Sequence, residues 1–292
     1  MSSANTGYFQ RLGADFKLTD AEFNRIRELV REHTGIALSE AKRQLVYGRL
    51  ARRLRALKLG SFGEYIKLLE RGEPAELEEF TNAVTTNLTS FFRESHHFDY
   101  LANEALPAIV ARDTGMRRLR IWCCAASTGE EPYSISMVLR ECAALLAGWD
   151  AKLLATDLDS AVLAHGNAGI YGEERFEKMS AARMRRFFSP APAPAPGPDQ
   201  GKLRAHDELR SLITFKQLNL MHEWPMRGPF DAIFCRNVVI YFDKATQRTL
   251  FERMAKLQRP GSYLFLGHSE SLYRVSERYD LIGKTIYRRN NS

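Results

Sequence analysis

The sequence is poor in cysteine and has no long apolar run, and each absence narrows what the chain can be. Four cysteines stand among 292 residues. Cys123 and Cys124 are adjacent, while Cys142 and Cys235 lie apart. No C-x-x-C pair occurs, which argues against a zinc knuckle, a thioredoxin-type site or a disulfide scaffold, and a reduced, cytosolic compartment is the expectation. No stretch of about 18 apolar residues appears, so no membrane-spanning helix is expected. Residues 1–10 lack the basic-then-apolar order of a signal peptide. There is no P-loop, no H-E-x-x-H and no G-x-S-x-G elbow, which Gly267-His268-Ser269-Glu270 does not match. His96 and His97 are neighbours on an expected helix and should point in different directions.

What is present describes a folded chain. The hydrophobic fraction of 45% is enough for a real core, and 42 basic against 35 acidic residues leave a net charge of +7. That excess suits an acidic partner, either nucleic acid or an acidic protein surface.

Residues 15–85 read as all helical. Thr19 or Asp20 caps a first helix carrying Phe23, Ile26, Leu29 and Val30 at helical spacing, and Gly35 ends it. A basic helix follows over about 42–58, with Tyr47, Leu50, Leu54 and Leu57 on one stripe and Arg49, Arg52, Arg53 and Arg55 on the opposite arc, closed by Gly60. Two further helices are predicted over 62–71 and 74–85.

From residue 94 strands and helices alternate. Strands are predicted at 119–124, 152–156, 213–218, 230–235 and 263–267, with a closing pair around Gly283. This argues for a mostly parallel sheet with helices on both faces. Between the second and third strands lie far more residues than a crossover needs. We read 170–212 as an inserted subdomain carrying the Pro–Ala tract 189–198, which should form an exposed polyproline-like loop.

In such a sheet ligands bind beyond the carboxyl ends of the strands. The first strand exits into small residues and the acids Glu130 and Glu131, which disfavour a dinucleotide phosphate and suit a cation. The second exits at Asp157, a candidate ribose acceptor or N-cap. The third exits at Asn219-Leu220 and the fourth at Arg236-Asn237, with Tyr241 close behind. S-adenosylmethionine, with a ribose, an amino-acid end and a positive centre, fits these exits together. The Asn/Asp-Pro-Pro-aromatic element common in amino methyltransferases is missing from the fourth exit.

Five stretches together resemble the CheR-type chemotaxis receptor methyltransferases: Thr85-Thr-Asn-Leu-Thr-Ser-Phe-Phe-Arg-Glu94, Ala125-Ala-Ser-Thr-Gly-Glu-Glu-Pro-Tyr-Ser134, Ala155-Thr-Asp-Leu-Asp159, Gly228-Pro-Phe-Asp-Ala-Ile-Phe-Cys-Arg-Asn-Val-Val-Ile-Tyr-Phe-Asp243 and Gly267-His-Ser-Glu270. The resemblance implies a Rossmann-like class I methyltransferase sheet over 89–292, an all-helical N-terminal domain over 1–88 that faces the receptor, and a small inserted β-subdomain. It implies methyl transfer from S-adenosylmethionine to glutamate side chains of chemoreceptors, giving methyl esters. By the same resemblance Asn87, Thr89 and Arg93 line the cofactor pocket, Glu130 and Asp157 bind the methionine and ribose portions in an order left open, Asn219 and Leu220 flank the adenine, and Arg236 with Asn237 holds the other side. Arg93 and Tyr241 are the expected catalytic pair, and Arg49, Arg52, Arg53 and Arg55 the expected face for an acidic receptor helix.

The chemistry agrees with these residue types. A carboxylate is already ionised at neutral pH, so methyl transfer to it needs no general base. In part of the family the insert docks on a pentapeptide at the receptor's C-terminus through a short glycine-containing loop. Here that place holds the Pro–Ala tract, so an enzyme working without that tether is expected; separately, a monomer is expected. A methyltransferase for RNA or a small molecule is the main alternative, although the basic patch lacks the interleaved aromatics of a nucleic-acid surface beyond Tyr47. A non-catalytic scaffold of the same fold is the other.

Overall fold

The structure is a computed structural model and describes residues 16–113, 115–192 and 199–292. The chain divides into two compact units between Thr85 and Thr86.

The first unit is helical. Thr19 caps α1 (Asp20–Thr34) in a reciprocal box with Glu22, and Gly35, at φ 74°, ends it. α2 (Arg43–Leu57) stops earlier than Gly60 suggests, because Lys58 takes the left-handed position itself, at φ 56°. α3 (Phe62–Glu70) is capped by the Ser61 hydroxyl, and α4 (Pro74–Val84) opens on a proline, whose missing N–H costs nothing in a first turn. Phe23, Ile26, Leu50, Leu54, Phe62, Tyr65 and Phe80 close one core. Val46 is fully inside, whereas Tyr47 and Leu57 are only partly buried, so the apolar stripe of α2 is centred slightly away from its predicted line.

The arginine arc of α2 is not the single outward face expected from periodicity. Arg53 Nε donates to Glu76 Oε1 at 2.9 Å, and Glu79 lies 3.4 Å from its guanidinium. The Tyr65 hydroxyl shares Glu76 at 2.8 Å, which leaves that buried carboxylate well partnered. Arg49 donates to the Ala83 and Thr85 carbonyls at the end of α4. Arg55 lies over the Phe16 ring at 5.7 Å, and Arg52 is exposed. The reason is geometric: the arc borders the groove against α4, and long side chains reach across it.

In the second unit α5 (His96–Tyr100) and α6 (Leu106–Arg112) flank a π-helical turn. Then come β1 (Arg118–Cys123), α7 (Glu130–Glu141), β2 (Asp150–Asp157) and α8 (Ser160–Ala168). The insert supplies β3 (Ile170–Tyr171), α9 (Ala181–Phe187), β4 (Phe188–Pro190), β5 (Leu203–Ala205) and α10 (Asp207–Arg210). β6 (Ile213–Gln217), β7 (Phe230–Cys235), α11 (Lys244–Lys256), β8 (Gln258–Leu266), β9 (Tyr279–Gly283) and β10 (Ile286–Arg289) complete the chain.

The main sheet has the order β6-β2-β1-β7-β8-β10-β9, with its first five strands parallel and β10 antiparallel to both neighbours. It is the Rossmann-like sheet expected. Central strands covered on both faces read as nearly continuous apolar runs, as in Leu119–Cys123 and Ala232–Cys235. Phe234 and Phe265 stack across β7 and β8 with centroids 4.2 Å apart. The strand order reverses between β1 and β7, which puts the ligand crevice at their carboxyl ends.

The insert forms a three-stranded antiparallel sheet, β3-β5-β4. Ser189 and Pro190 belong to β4, so the predicted loop does not begin at Ser189. β4 is an edge strand, where a proline breaks no ladder, and Ala191 still donates to the Lys202 carbonyl at 2.9 Å. Residues 193–198 of the tract lie outside the described residues. Phe91 stacks on Phe176 at 5.2 Å and meets Tyr171 and Phe188 edge-on, which ties the insert to the segment before the sheet.

His96 and His97 do not diverge as predicted. Their ring centroids are 4.2 Å apart, and both Nε2 atoms approach the Lys284 carbonyl, at 3.2 and 3.0 Å, because that carbonyl sits between them.

Candidate active site

The loop from β1 to α7 turns sharply, with Ser127 at φ 48° and Gly129 at φ 99°. A Cβ on Gly129 would lie 2.6 Å from the Tyr171 hydroxyl and 2.8 Å from Gly166 Cα, so no larger residue fits. Asp157 ends β2 beside this loop. Its Oδ2 accepts the Ser127 N–H at 2.8 Å and its Oδ1 the Asp159 N–H at 3.1 Å. Asp159, rather than Asp157, caps α8. Asn87 Nδ2 donates to Asp159 Oδ2 at 2.8 Å, and the Ser127 hydroxyl donates to the Asn87 carbonyl at 3.2 Å. The structure therefore gathers Asn87, Asp157 and the β1 loop into one corner. Burial pushes the Asp157 carboxyl up to about 6 against the backbone N–H bonds that favour its ionised form.

Glu130 and Thr89 meet in the same corner through a residue from the insert. The Glu130 side chain has no solvent exposure. Its Oε1 accepts from Arg175 Nε at 2.8 Å, and its Oε2 accepts the Thr128 hydroxyl at 2.6 Å. Arg175 also lies 3.4 Å from the Thr89 carbonyl. Asn219 opens the loop after β6, which Leu218 joins to the Asp157 carbonyl at 2.9 Å. Asn219 Oδ1 accepts the Met221 N–H, and the buried Leu220 offers its carbonyl to Trp224 and Arg253.

At the exits of β7 and β8 the arrangement is ionic. The Arg236 side chain has no solvent exposure and pairs with Glu131 and, at 3.2 Å, with Glu94. It also donates to the Arg93 carbonyl and lies over the Phe98 ring. The sequence reading gives Arg236 to the cofactor, but its guanidinium faces carboxylates inside the protein. Asn237 sits at φ 59°, with its side chain 3.4 Å from Glu94 Oε1.

Glu270, buried, accepts the N–H groups of Gly267, Asn237, Val239 and Ile240 at 2.6 to 3.3 Å. Burial raises its carboxyl, and those four bonds pull the other way. They lock the turn Val239–Tyr241, which carries the half-buried Tyr241. No hydrogen bond to the Tyr241 hydroxyl occurs among the described residues. Arg93 is half-buried and donates to the Leu88 carbonyl at 2.8 Å.

Sequence reasoning gave Glu94, Arg175 and Glu270 no role, although Glu94 and Glu270 fall within the quoted motifs, and it read Glu131 only as an acid that suits a cationic ligand. The available signal was charge balance: Glu94 adjoins Arg93, Glu270 follows Gly267 by three residues, and an arginine at a strand exit must find a partner when buried. Arg175 carried no local signal, since its partner is 45 residues away.

The donor set fits S-adenosylmethionine. A ribose diol donating to Asp157 would supply what its raised carboxyl lacks. Asn87, Asn219 and Asn237 offer neutral donors and acceptors. Among the described residues the arginine that reaches the β1 loop, Arg175, is already paired with Glu130, which suits a phosphate-bearing ligand poorly.

Residues 87–288 match the SAM-binding domain of CheR methyltransferases, and residues 21–85 match the CheR all-alpha domain. The chain is 48% identical over 276 residues to chemotaxis protein methyltransferase 2 of Pseudomonas aeruginosa, covering 94% of each. It is 43% identical over 273 residues to the chemotaxis protein methyltransferase of Escherichia coli, covering 92% of this chain and 91% of that one. With the Salmonella typhimurium chemotaxis protein methyltransferase it shares 41% over 290 residues, 98% of this chain and 96% of the other. A helical unit followed by a Rossmann-like sheet whose strand exits suit S-adenosylmethionine, matched over nearly its whole length, makes this chain a member of the CheR family of S-adenosylmethionine-dependent chemotaxis methyltransferases.

Proposed function

We propose that this methyltransferase esterifies glutamate side chains on the helical signalling domain of chemoreceptors. The observation that carries the reading is Arg93. Of the three site arginines, Arg175 and Arg236 are each paired with carboxylates, whereas Arg93 has no carboxylate partner among the described residues. A half-buried guanidinium of this kind calls for a carboxylate, and its planar fork can hold one bidentately, which a lysine cannot.

Bound S-adenosylmethionine supplies an electrophilic methyl group on a sulfonium. Asp157 accepts from the ribose, Asn87 and Thr89 close that corner, and Asn219 with Leu220 flanks the adenine. Glu130 and Arg236 act from within, Glu130 holding the β1 corner to the insert and Arg236 holding the Arg93 loop. Arg93 orients the incoming carboxylate, and Tyr241, on the turn fixed by Glu270, contacts its second oxygen. No proton needs to move, because the acceptor arrives ionised. Catalysis is then positioning together with exclusion of water.

Arg52, the exposed member of the α2 arc, leads contact with the acidic receptor helix, whereas Arg53 has its charge taken up by Glu76 and Glu79. The test is methyl transfer from labelled S-adenosylmethionine to a purified receptor signalling domain, with RNA offered in parallel. Label on the receptor that declines steeply as salt rises supports the reading. Label on RNA alone overturns it.

A further inference from the structure

The residue after Arg93 is held more tightly than Arg93 itself. Glu94 has φ 57°, a left-handed conformation that is strained for a non-glycine residue and persists only where its surroundings fix it. Its carboxylate is almost enclosed and meets three chain segments. Oε1 accepts from His268 Nδ1 at 2.8 Å and faces Asn237 Nδ2 at 3.4 Å. Oε2 accepts the His268 N–H at 3.1 Å and lies 3.2 Å from Arg236 Nη2. The buried His97 Nδ1 stands 3.6 Å away. Arg236 donates at the same time to the Arg93 carbonyl. The peptide joining Arg93 to Glu94 is therefore pinned at its carbonyl and at the carboxylate that follows it, both to the exit of β7. Phe92, at φ 52°, is pinned from the other side by the Ser134 hydroxyl on its N–H at 2.9 Å.

We infer that Glu94 is a positioning residue that fixes Arg93 at the methyl-transfer site by locking its loop to Arg236 and His268 at the exits of β7 and β8. Glu94 touches neither substrate nor cofactor. Among the described residues the long side chain of Arg93 makes one hydrogen bond, to the Leu88 carbonyl, so its aim depends on a backbone that does not move. Neither burial of Glu94 for stability nor its pairing with Arg236 explains the bonds to His268 and Asn237, which serve to register the three loops. The inference rests on the role proposed above for Arg93.

The test is a double-mutant cycle of Glu94→Gln and Arg93→Ala in the full chain. It is read as the single-turnover rate of methyl transfer to a receptor domain, with S-adenosylhomocysteine affinity by calorimetry and melting temperature on the same proteins. Glu94→Gln keeps the shape and removes the charge that holds Arg236. The expected result is a rate lower by on the order of 10²-fold, with product affinity changed by less than about threefold. In the Arg93→Ala background Glu94→Gln should cost no more than about twofold, since it acts through a residue already removed. If Glu94→Gln melts below the assay temperature, Glu94→Asp, which shortens the reach to Arg236 and His268, takes its place in the cycle with the same expected loss. Rates that multiply in the double variant, or a Glu94→Gln enzyme as fast as wild type, overturn the inference. Arg93→Ala at the wild-type rate instead removes Arg93 from the mechanism and the inference with it.

Discussion

In α2, Arg53 reaches Glu76 across the helical unit with about a quarter of its side chain still exposed, while at the exit of β7 Arg236 meets Glu131, Glu94 and a carbonyl with no exposure at all. Both are arginines in sequence neighbourhoods that promise a ligand contact, and both turn inward. The difference lies in what would follow their loss. Arg53 borders solvent, so water can replace it. Arg236 is closed in, and its removal leaves the almost enclosed carboxylates of Glu131 and Glu94 without their guanidinium. A basic residue is therefore a surface feature only where no acid lies within reach in three dimensions, a condition that helical periodicity does not test.

The largest effect is expected from Arg236→Met. Breaking a buried pair by removing one partner costs about 3–5 kcal/mol, and denaturant unfolding should show a loss of that size. A loss no larger than that of Arg53→Met would make Arg236 no more of a linchpin than Arg53. Next comes Arg93→Ala, which should slow methyl transfer on the order of 10²-fold while the unfolding midpoint stays near wild type, since Arg93 has no ion pair to lose among the described residues. Arg53→Met should cost about 1.5–3 kcal/mol, the value of hydrogen bonds to a charged group. It should weaken receptor binding only through that loss. Arg52→Glu should show the reverse pattern, with stability unchanged within about 0.5 kcal/mol and receptor affinity reduced at low salt but not at high salt. An Arg52 variant that binds receptor normally at low salt would remove the α2 face from recognition.

Asp157 sharpens the comparison through pH. Its folded carboxyl sits at about 6, above the ordinary 3.8, because of burial. The folded, ligand-free protein thus holds a proton there that the unfolded chain releases, and this contribution to stability is present below 3.8 and lost as pH rises through 6. Cofactor binding has the opposite sign, since a ribose diol donates to the ionised form. Affinity for S-adenosylhomocysteine should therefore be full above pH 6 and fall about tenfold per unit below it, a slope that Asp157→Asn should flatten.

His97 and Glu94 act on the fold in the other direction. Burial, with the Arg236 charge, lowers His97 from 6.5 to about 3. Burial would raise Glu94, but the His268 hydrogen bond and Arg236 prevail and hold it at about 2, below its ordinary 4.5. In both cases the unfolded chain binds the proton first. Stability should decline as pH falls from 6.5 toward 3 through His97, and from 4.5 toward 2 through Glu94.

Much of the fold was legible because its signals are local. Thr19 with Glu22, Gly35 and Pro74 punctuate the helices where the sequence predicts, and the runs at 119–123 and 230–235 are strands because a doubly covered sheet demands apolar residues on both faces. Lys58 broke the rule that glycine ends a helix, since a lysine accepted the left-handed position two residues early. β8 begins five residues before the predicted strand, because Pro260 and Gly261 are tolerated where its register against β7 shifts. The corner made by Asn87, Asp157 and the β1 loop was readable from strand exits. The hub of Glu94, Arg236, His268 and Glu270 was not, because it joins segments up to 174 residues apart, and a sequence shows such a charge without showing its partner.

The central claim is that the bond formed is a carboxyl ester on glutamate. The most direct measurement is the fate of label transferred from methyl-labelled S-adenosylmethionine to a receptor signalling domain, followed by mild base. Volatile methanol released in proportion to the label bound, with none from a receptor whose target glutamates are replaced by alanine, is the result the account predicts. Label that stays on the protein through base treatment would place the methyl on nitrogen or another stable site and contradict it.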